Sequence, residues 1–224
     1  MDPRGLHAVI WDFNGTLVDD VALAVRSINV ELERRGLPPL AVGAYRELFG
    51  FPMAAYYRKL GFDLEVETME GLADEFHADY LPGLPDCPLH EGVAEILERM
   101  REAGVAQFVL SAMEEVTLKA AVRRLGIDRY FRGVYGRGDR LADSKVARGK
   151  ELFQHFSIVA ESALLIGDTD HDAEVACALG TSVALVAQGH QTAERLRGVG
   201  CPVFGTFHEL GDALSLSAAR AREA

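Results

Sequence analysis

The sequence predicts an α/β protein: a doubly wound, mainly parallel Rossmann-like sheet with a small helical domain inserted after its first strand. Three observations carry this. Short apolar runs at 8–11, 105–110, 163–166 and 183–186 are rich in Val, Ile and Leu and do not alternate, as expected of strands covered on both faces. Helical patterns lie between the later runs, which implies right-handed β-α-β units. Residues 18–87 break that rhythm with helices and no convincing strand.

Taken in order, the run at 8–11 is the first strand. The segment 18–87 then carries amphipathic stretches at 21–35, 43–48, 54–60 and 67–80, punctuated by Gly36-Leu37-Pro38-Pro39 and Leu81-Pro82-Gly83-Leu84-Pro85. We read it as an inserted domain, with 1–17 and 88–224 forming the core. An insertion beside a strand end suits a lid. Val93, Ile96, Leu97 and Met100 make one face of a helix over 93–101, which Gly104 closes. The same device recurs at 116–125 before Gly126 and at 173–179 before Gly180. A further helix is expected over 146–156, and the polar segment 218–224 is expected to fray.

Bulk composition narrows the function. The 224 residues suit one main domain with a smaller insertion. A net charge of −11 disfavours general binding to nucleic acid or anionic membranes, so an anionic ligand needs a local basic pocket. Cys87, Cys177 and Cys201 are far apart and lack C-x-x-C spacing, which fits reduced, mostly buried thiols. No apolar run approaches a bilayer span, and no signal peptide is visible. We expect a cytoplasmic protein.

Ligands of open α/β sheets sit at the carboxyl ends of strands, and three polar groups fall there. The first is Asp12-Phe13-Asn14-Gly15-Thr16: a carboxylate directly after a buried strand, a glycine for the tight turn, and a hydroxyl suited to phosphate oxygens. The second is Ser111 at the end of the second strand, with Ala112 after it. The third is Gly167-Asp168-Thr169-Asp170-His171-Asp172, where crowded carboxylates repel unless a cation neutralises them. An incomplete shell of carboxylate oxygens suits Mg²⁺, while the helix N-terminus alone would also favour acids. Lys145 precedes the third group and can neutralise a nucleophile and a phosphate oxygen.

Together these residues resemble the haloacid dehalogenase superfamily over essentially the whole chain. Asp12 through Asp19 resembles its first motif, Ser111 the second, Lys145 the third, and Gly167-Asp168 through Asp172 the fourth. Lys150 also follows a glycine, but Lys145 leaves the intervening helix and strand their usual lengths. The insertion resembles the family's small helical cap. Gly36-Leu37-Pro38-Pro39 and Leu48-Phe49-Gly50-Phe51-Pro52 resemble the phosphoglycolate phosphatase-like branch.

The resemblance implies a nucleophile at Asp12 that forms an aspartyl-phosphate. Ser111, Ala112, Lys145, Gly15 and Thr16 would hold the phosphoryl group. Asp12, the Asn14 carbonyl, Asp168 and Asp172 would hold Mg²⁺. The substrate would be a phosphorylated small molecule, with the chain a monomer or homodimer. One departure matters. Phosphatases of the family carry an acid/base aspartate where this chain has Asn14, and an amide cannot donate and regain a proton near neutral pH. A slow phosphatase, with water or another group such as His171 moving the proton, is the first reading. A catalytically weak phospho-ligand-binding or regulatory relative is the second. A dehalogenase is the third, and it has no need of Asp168. Arg46 and Arg58 are candidates to meet a substrate carboxylate.

Overall fold

The computed structural model describes residues 5–138 and 144–214. Six parallel strands form one sheet in the order β3-β2-β1-β4-β5-β6. They are β1 (Ala8–Trp11), β2 (Ala106–Glu114), β3 (Gly133–Arg137), β4 (Ala163–Gly167), β5 (Ser182–Val186) and β6 (Val203–Phe204). The order reverses between β1 and β4, so the topological switch point lies beside the end of β1.

Non-alternating strands follow from cover on both faces. Val9 and Trp11 of β1 join Val109, Leu164, Ile166, Ala184 and Val186 in one apolar cluster. Ile10 joins Phe108, Leu110, Leu165, Val175 and Leu152 in a second cluster on the other face. Helices α5 (Val93–Glu102), α6 (Glu115–Arg124) and α10 (Phe207–Ala213) supply the first face, and α7 (Lys145–Phe156) and α8 (Asp170–Leu179) the second. A short α9 (Ala193–Arg197) follows β5.

The inserted segment is helical as expected: α1 (Val21–Arg34), α2 (Val42–Leu48), α3 (Met53–Leu60) and α4 (Met69–Tyr80). Its two connections to the sheet run side by side. Val18 bridges Leu89, Asp19 N–H donates to Pro88 O, and His90 N–H donates to Leu17 O. Tyr56 and Tyr57 pack into the same apolar cluster as the first sheet face.

Several expectations need correction. Strands β3 and β6 were not foreseen. Edge strand β3 (GVYGR) holds two glycines and no apolar run, and β6 has only two residues. Strand β2 runs four residues past 110 with a register shift between Leu110 and Glu114, so Ser111 lies within it. Asp170 and Asp172 of the acidic group lie in the first turn of α8, which begins at Asp170 rather than 173, while Asp168 lies between β4 and the Thr169 cap. Of the cysteines, only Cys87 is buried; Cys177 is exposed on α8 and Cys201 half-buried. Segment 218–224 lies outside the described residues.

Candidate active site at the sheet switch point

Parallel pairing places the chemistry. Trp11 pairs with Ile166, and Asp12 N–H donates to Ile166 O at 2.8 Å, so Asp12 emerges beside Gly167 and Asp168 at adjacent strand ends. Asp12, Asp168 and Asp172 are all buried, and one carboxylate oxygen from each lies within 4.8 Å of the others. Lys145 Nζ sits among them, 2.5 Å from Asp12 Oδ1 and 2.6 Å from Asp172 Oδ1. Ser144 caps α7 by accepting from Ala147 N–H at 3.1 Å, which starts the helix with Lys145 turned inward. Lys150 is exposed one turn later.

The carboxylates differ in their support. Asp172 Oδ2 accepts from the N–H groups of Asp168 and Thr169 and from the Thr169 hydroxyl. Burial works to raise its pKa, but the Lys145 charge and these bonds win and hold it below the ordinary carboxylate range. Asp168 accepts from Thr16 Oγ1 at 2.8 Å and from His190 N–H at 2.6 Å. Burial and Asp172 push it up to about 6 against those bonds. Burial, with repulsion from Asp172 and Asp168, pushes Asp12 up to about 7 despite Lys145. Three buried carboxylates against one ammonium leave negative charge uncompensated, and this donor set of hard oxygens fits Mg²⁺. Gly15 and Gly189 let the chain pass against Asp168; a Cβ at either would fall on its carboxylate.

The neighbouring groups were only partly foreseen. Ser111 is buried, and its Oγ accepts from Met113 N–H at 3.1 Å; Ala112 follows it, exposed. Thr16 Oγ1 donates to Asp168, and Gly15 N–H donates to Asp20 Oδ1 at 2.7 Å, so neither of these donors is left free for phosphate. His171 pairs with Glu174 at 3.0 Å and its ring lies against Phe51 rather than Asp12. Arg46 donates to Ala187 O and Gln191 O, a tie between insertion and core, and Arg58 is exposed.

Four residues at the site were missed: Asp20, Tyr45, Tyr80 and His190. Asp20 is buried, and its Oδ1 lies 3.4 Å from His190 Nε2. Tyr45 OH and His190 Nδ1 are hydrogen-bonded at 2.9 Å. Burial alone would lower the His190 pKa, but Asp20, then Asp168 and Asp12, raise it to about 9. Asp20, directly after the first motif, and Gly189-His190, just past β5, were the available signals.

A cleft of about 550 Å³ also opens beside β3, lined by Lys119, Arg132, Tyr135 and Arg148 among others. None of its lining residues belongs to the acidic group, and openness alone gives it no chemistry.

Residues 9–186 match the family model described as haloacid dehalogenase-like hydrolase. The chain belongs to that family. Phosphoglycolate phosphatase of Rhodospirillum rubrum is 28% identical over 217 residues, covering 92% of this chain and 89% of that protein. Tyrosine-protein kinase PtkA of Mycobacterium tuberculosis is 28% identical over 213 residues, covering 93% and 72%. The solved structure of PtkA superposes with a TM-score of 0.78 at 27% identity, covering 93% of this chain and 98% of that one. A predicted phosphatase from Clostridium acetobutylicum shares the fold with a TM-score of 0.81 at 20% identity, covering 94% and 98%. Among the described residues, no helix is long and apolar enough to cross a membrane.

Proposed function

We propose that the chain is a Mg²⁺-dependent phosphatase of the cytoplasm that hydrolyses a small, phosphoglycolate-like phosphate monoester through an aspartyl-phosphate at Asp12. The observation that carries this is the convergence of Asp12, Asp168, Asp172 and Lys145 at the switch point of the sheet. Phosphoryl transfer depends on positioning and charge neutralisation, and this group offers both.

Asp12 Oδ attacks phosphorus while the ester oxygen leaves. Lys145 opposes the rise in the Asp12 pKa and would face the transferring group, with Ser111 and the Ala112 backbone beside it. Asp12, the Asn14 carbonyl and Asp168 would hold the metal directly, and Asp172 would support that shell. Bound Mg²⁺ supplies positive charge against the non-bridging oxygens. Water then cleaves the aspartyl-phosphate, releasing phosphate and regenerating Asp12. Helices α1–α4 would act as a cap that closes over this site, hinged where Val18 meets Leu89.

Asn14 favours a second reading, a phospho-ligand-binding relative with little turnover, because no carboxyl stands at that position to protonate the leaving oxygen. The buried three-carboxylate group weighs against a metal-free dehalogenase.

The deciding assay is p-nitrophenyl phosphate hydrolysis with Mg²⁺, with EDTA, and in Asp12→Ala. This substrate has a good leaving group and depends least on an acid. Activity that needs both Mg²⁺ and Asp12 is expected. No turnover above background by folded protein would favour the second reading.

A further inference from the structure

Asn14 is not a passive gap in the acid/base position. Its amide nitrogen donates to Asp20 Oδ2 at 3.0 Å and to Tyr80 OH at 2.7 Å. Tyr80 in turn donates its hydroxyl proton to the same Asp20 Oδ2. Asp20 Oδ1 accepts from Gly15 N–H and faces His190. The orientation of the amide follows from its partners, since only the NH₂ end can face a carboxylate oxygen. Both N–H bonds of Asn14 are therefore used, and every donor in the triangle has an acceptor. Asp20 stands at the N-terminus of α1 and Tyr80 ends α4, so the triangle also joins both ends of the insertion to the first motif.

A carboxylate at position 14 offers no N–H to this triangle. It would set two acidic groups about 3 Å apart, an arrangement in which like charges disfavour each other.

We propose that Asp20 is a positioning residue that dictates an amide at position 14: Asn14, Asp20 and Tyr80 form one donor–acceptor unit whose side-chain carboxylate stands at 20 instead of 14. This deepens the phosphatase reading, on which its catalytic half rests. The unit has a mirror image. With Asn14→Asp and Asp20→Asn together, Asn at 20 donates to Tyr80 OH and to Asp at 14, and Tyr80 donates to Asp at 14. Every bond within the triangle is kept with reversed polarity, net charge is unchanged, and the oxygen facing Gly15 N–H and His190 remains.

The test compares the full chain with N14D, D20N and N14D/D20N, by thermal unfolding and by turnover of p-nitrophenyl phosphate and a simple n-alkyl phosphate with Mg²⁺. Each single variant should lower Tm by roughly 4–8 °C, because each breaks bonds of a buried charged group. The double variant should return to near the parent Tm. It alone should accelerate the alkyl ester, by about 10–100-fold, with a much smaller gain on the aryl ester, since only poor leaving groups need the acid. N14D that is as stable as the parent and as fast as the double variant would overturn the proposal, as would a double variant whose Tm loss is the sum of the singles. Tm recovery with an unchanged alkyl-to-aryl ratio in an active enzyme would overturn the catalytic half. If no protein in the set turns over either ester but Tm recovers in the double variant, the phosphatase reading fails and the pairing of 14 with 20 stands.

Discussion

Lys145 is one positive charge between two buried carboxylates, and that arrangement sets what its loss should do. Lys145→Met removes the ammonium and leaves Asp12 and Asp172 facing each other out of water. Removing one partner of a buried ion pair costs about 3–5 kcal/mol. Mg²⁺ bound as proposed would carry positive charge to the same place, so the Tm deficit of Lys145→Met should be large in EDTA and smaller with excess Mg²⁺. Turnover should fall about 10²–10³-fold, the scale of losing a charged contact to a transferring group. An equal deficit with and without metal would mean that the ion does not bind beside Asp12. Gly189→Ala tests the opposite wall of the site. Its Cβ would fall on the Asp168 carboxylate and the Gly15 carbonyl, so Tm should fall and Mg²⁺ affinity should drop in the protein that remains folded; calorimetric titration of Mg²⁺ reads the second effect directly. At this scale the sequence was legible where a residue sits at the end of an apolar run. Asp12 and Asp168 are of that kind, and Lys145 over Lys150 followed from element lengths. Asp20, Tyr80 and His190 were not legible. Tyr80 meets Asp20 across 60 positions, and His190 faces Asp20 from beyond β5; no local pattern encodes contacts of that kind.

Helices α1–α4 and the core are tied by a small set of polar bonds in which side chains hold backbone carbonyls. Arg195 of α9 donates to Phe49 O and Glu47 O and pairs with Asp170 at 2.6 Å. Arg46 of α2 reaches Ala187 O and Gln191 O, and Gln191 Nε2 reaches Phe49 O at 3.2 Å. These bonds gather on the stretch after β5 and on the turn after α2, at the mouth of the acidic site. A cap that opens must break them, together with the ring contacts of Tyr45 and Phe49 on His190 and of Phe51 on His171. Arg195→Ala should therefore speed amide hydrogen exchange over 42–60 while leaving exchange in β1 and β4 unchanged. Uniform acceleration would indicate global destabilisation, and no change would indicate a static insertion. The elements themselves were legible in proportion to their apolar signal. The interior strands β1, β2, β4 and β5 showed as continuous apolar runs. Edge strands β3 and β6 did not, since an edge strand needs no two-sided apolar cover. The four inserted helices showed through their punctuating glycines and prolines, but whether they rest on the core or lift from it depends on the cross-element bonds above.

Across the whole molecule, the buried charges combine into a pH dependence whose sign can be worked out. Asp12 and Asp168 have folded-state pKa values raised from 3.8 to about 7 and about 6. The folded state therefore binds their protons more tightly than the unfolded chain does, and stability without metal falls as pH rises through that window. His190 is raised from 6.5 to about 9, mainly by Asp20. Its contribution is fully present below its ordinary value and is lost as pH rises through about 9, so it slopes the same way. Asp20 and Asp172 are lowered, so their contribution is present above 3.8 and is lost as pH falls below it. The metal-free protein should thus be most stable near about pH 5 and lose Tm steadily towards about pH 9. Mg²⁺ bound as proposed would compete with the protons on Asp12 and Asp168. Its stabilisation should be small at about pH 5, where those carboxyls are protonated, and large at about pH 8, where they are ionised and repel each other. Thermal unfolding across pH with EDTA or with Mg²⁺ gives two curves that should converge on the acid side and separate on the alkaline side. Parallel curves would mean that the ion binds elsewhere, since only occupancy of the carboxylate group couples its effect to those protons. A net charge of −11 makes this coupling functional as well as structural. An acidic protein repels a phosphate ester at long range, so substrate entry depends on local positive charge from Lys145 and the metal. On the proposed function, the ion that relieves repulsion among the buried carboxylates would also prepare the site for an anionic substrate, so the pH at which Mg²⁺ begins to stabilise the fold should also be the pH at which turnover begins.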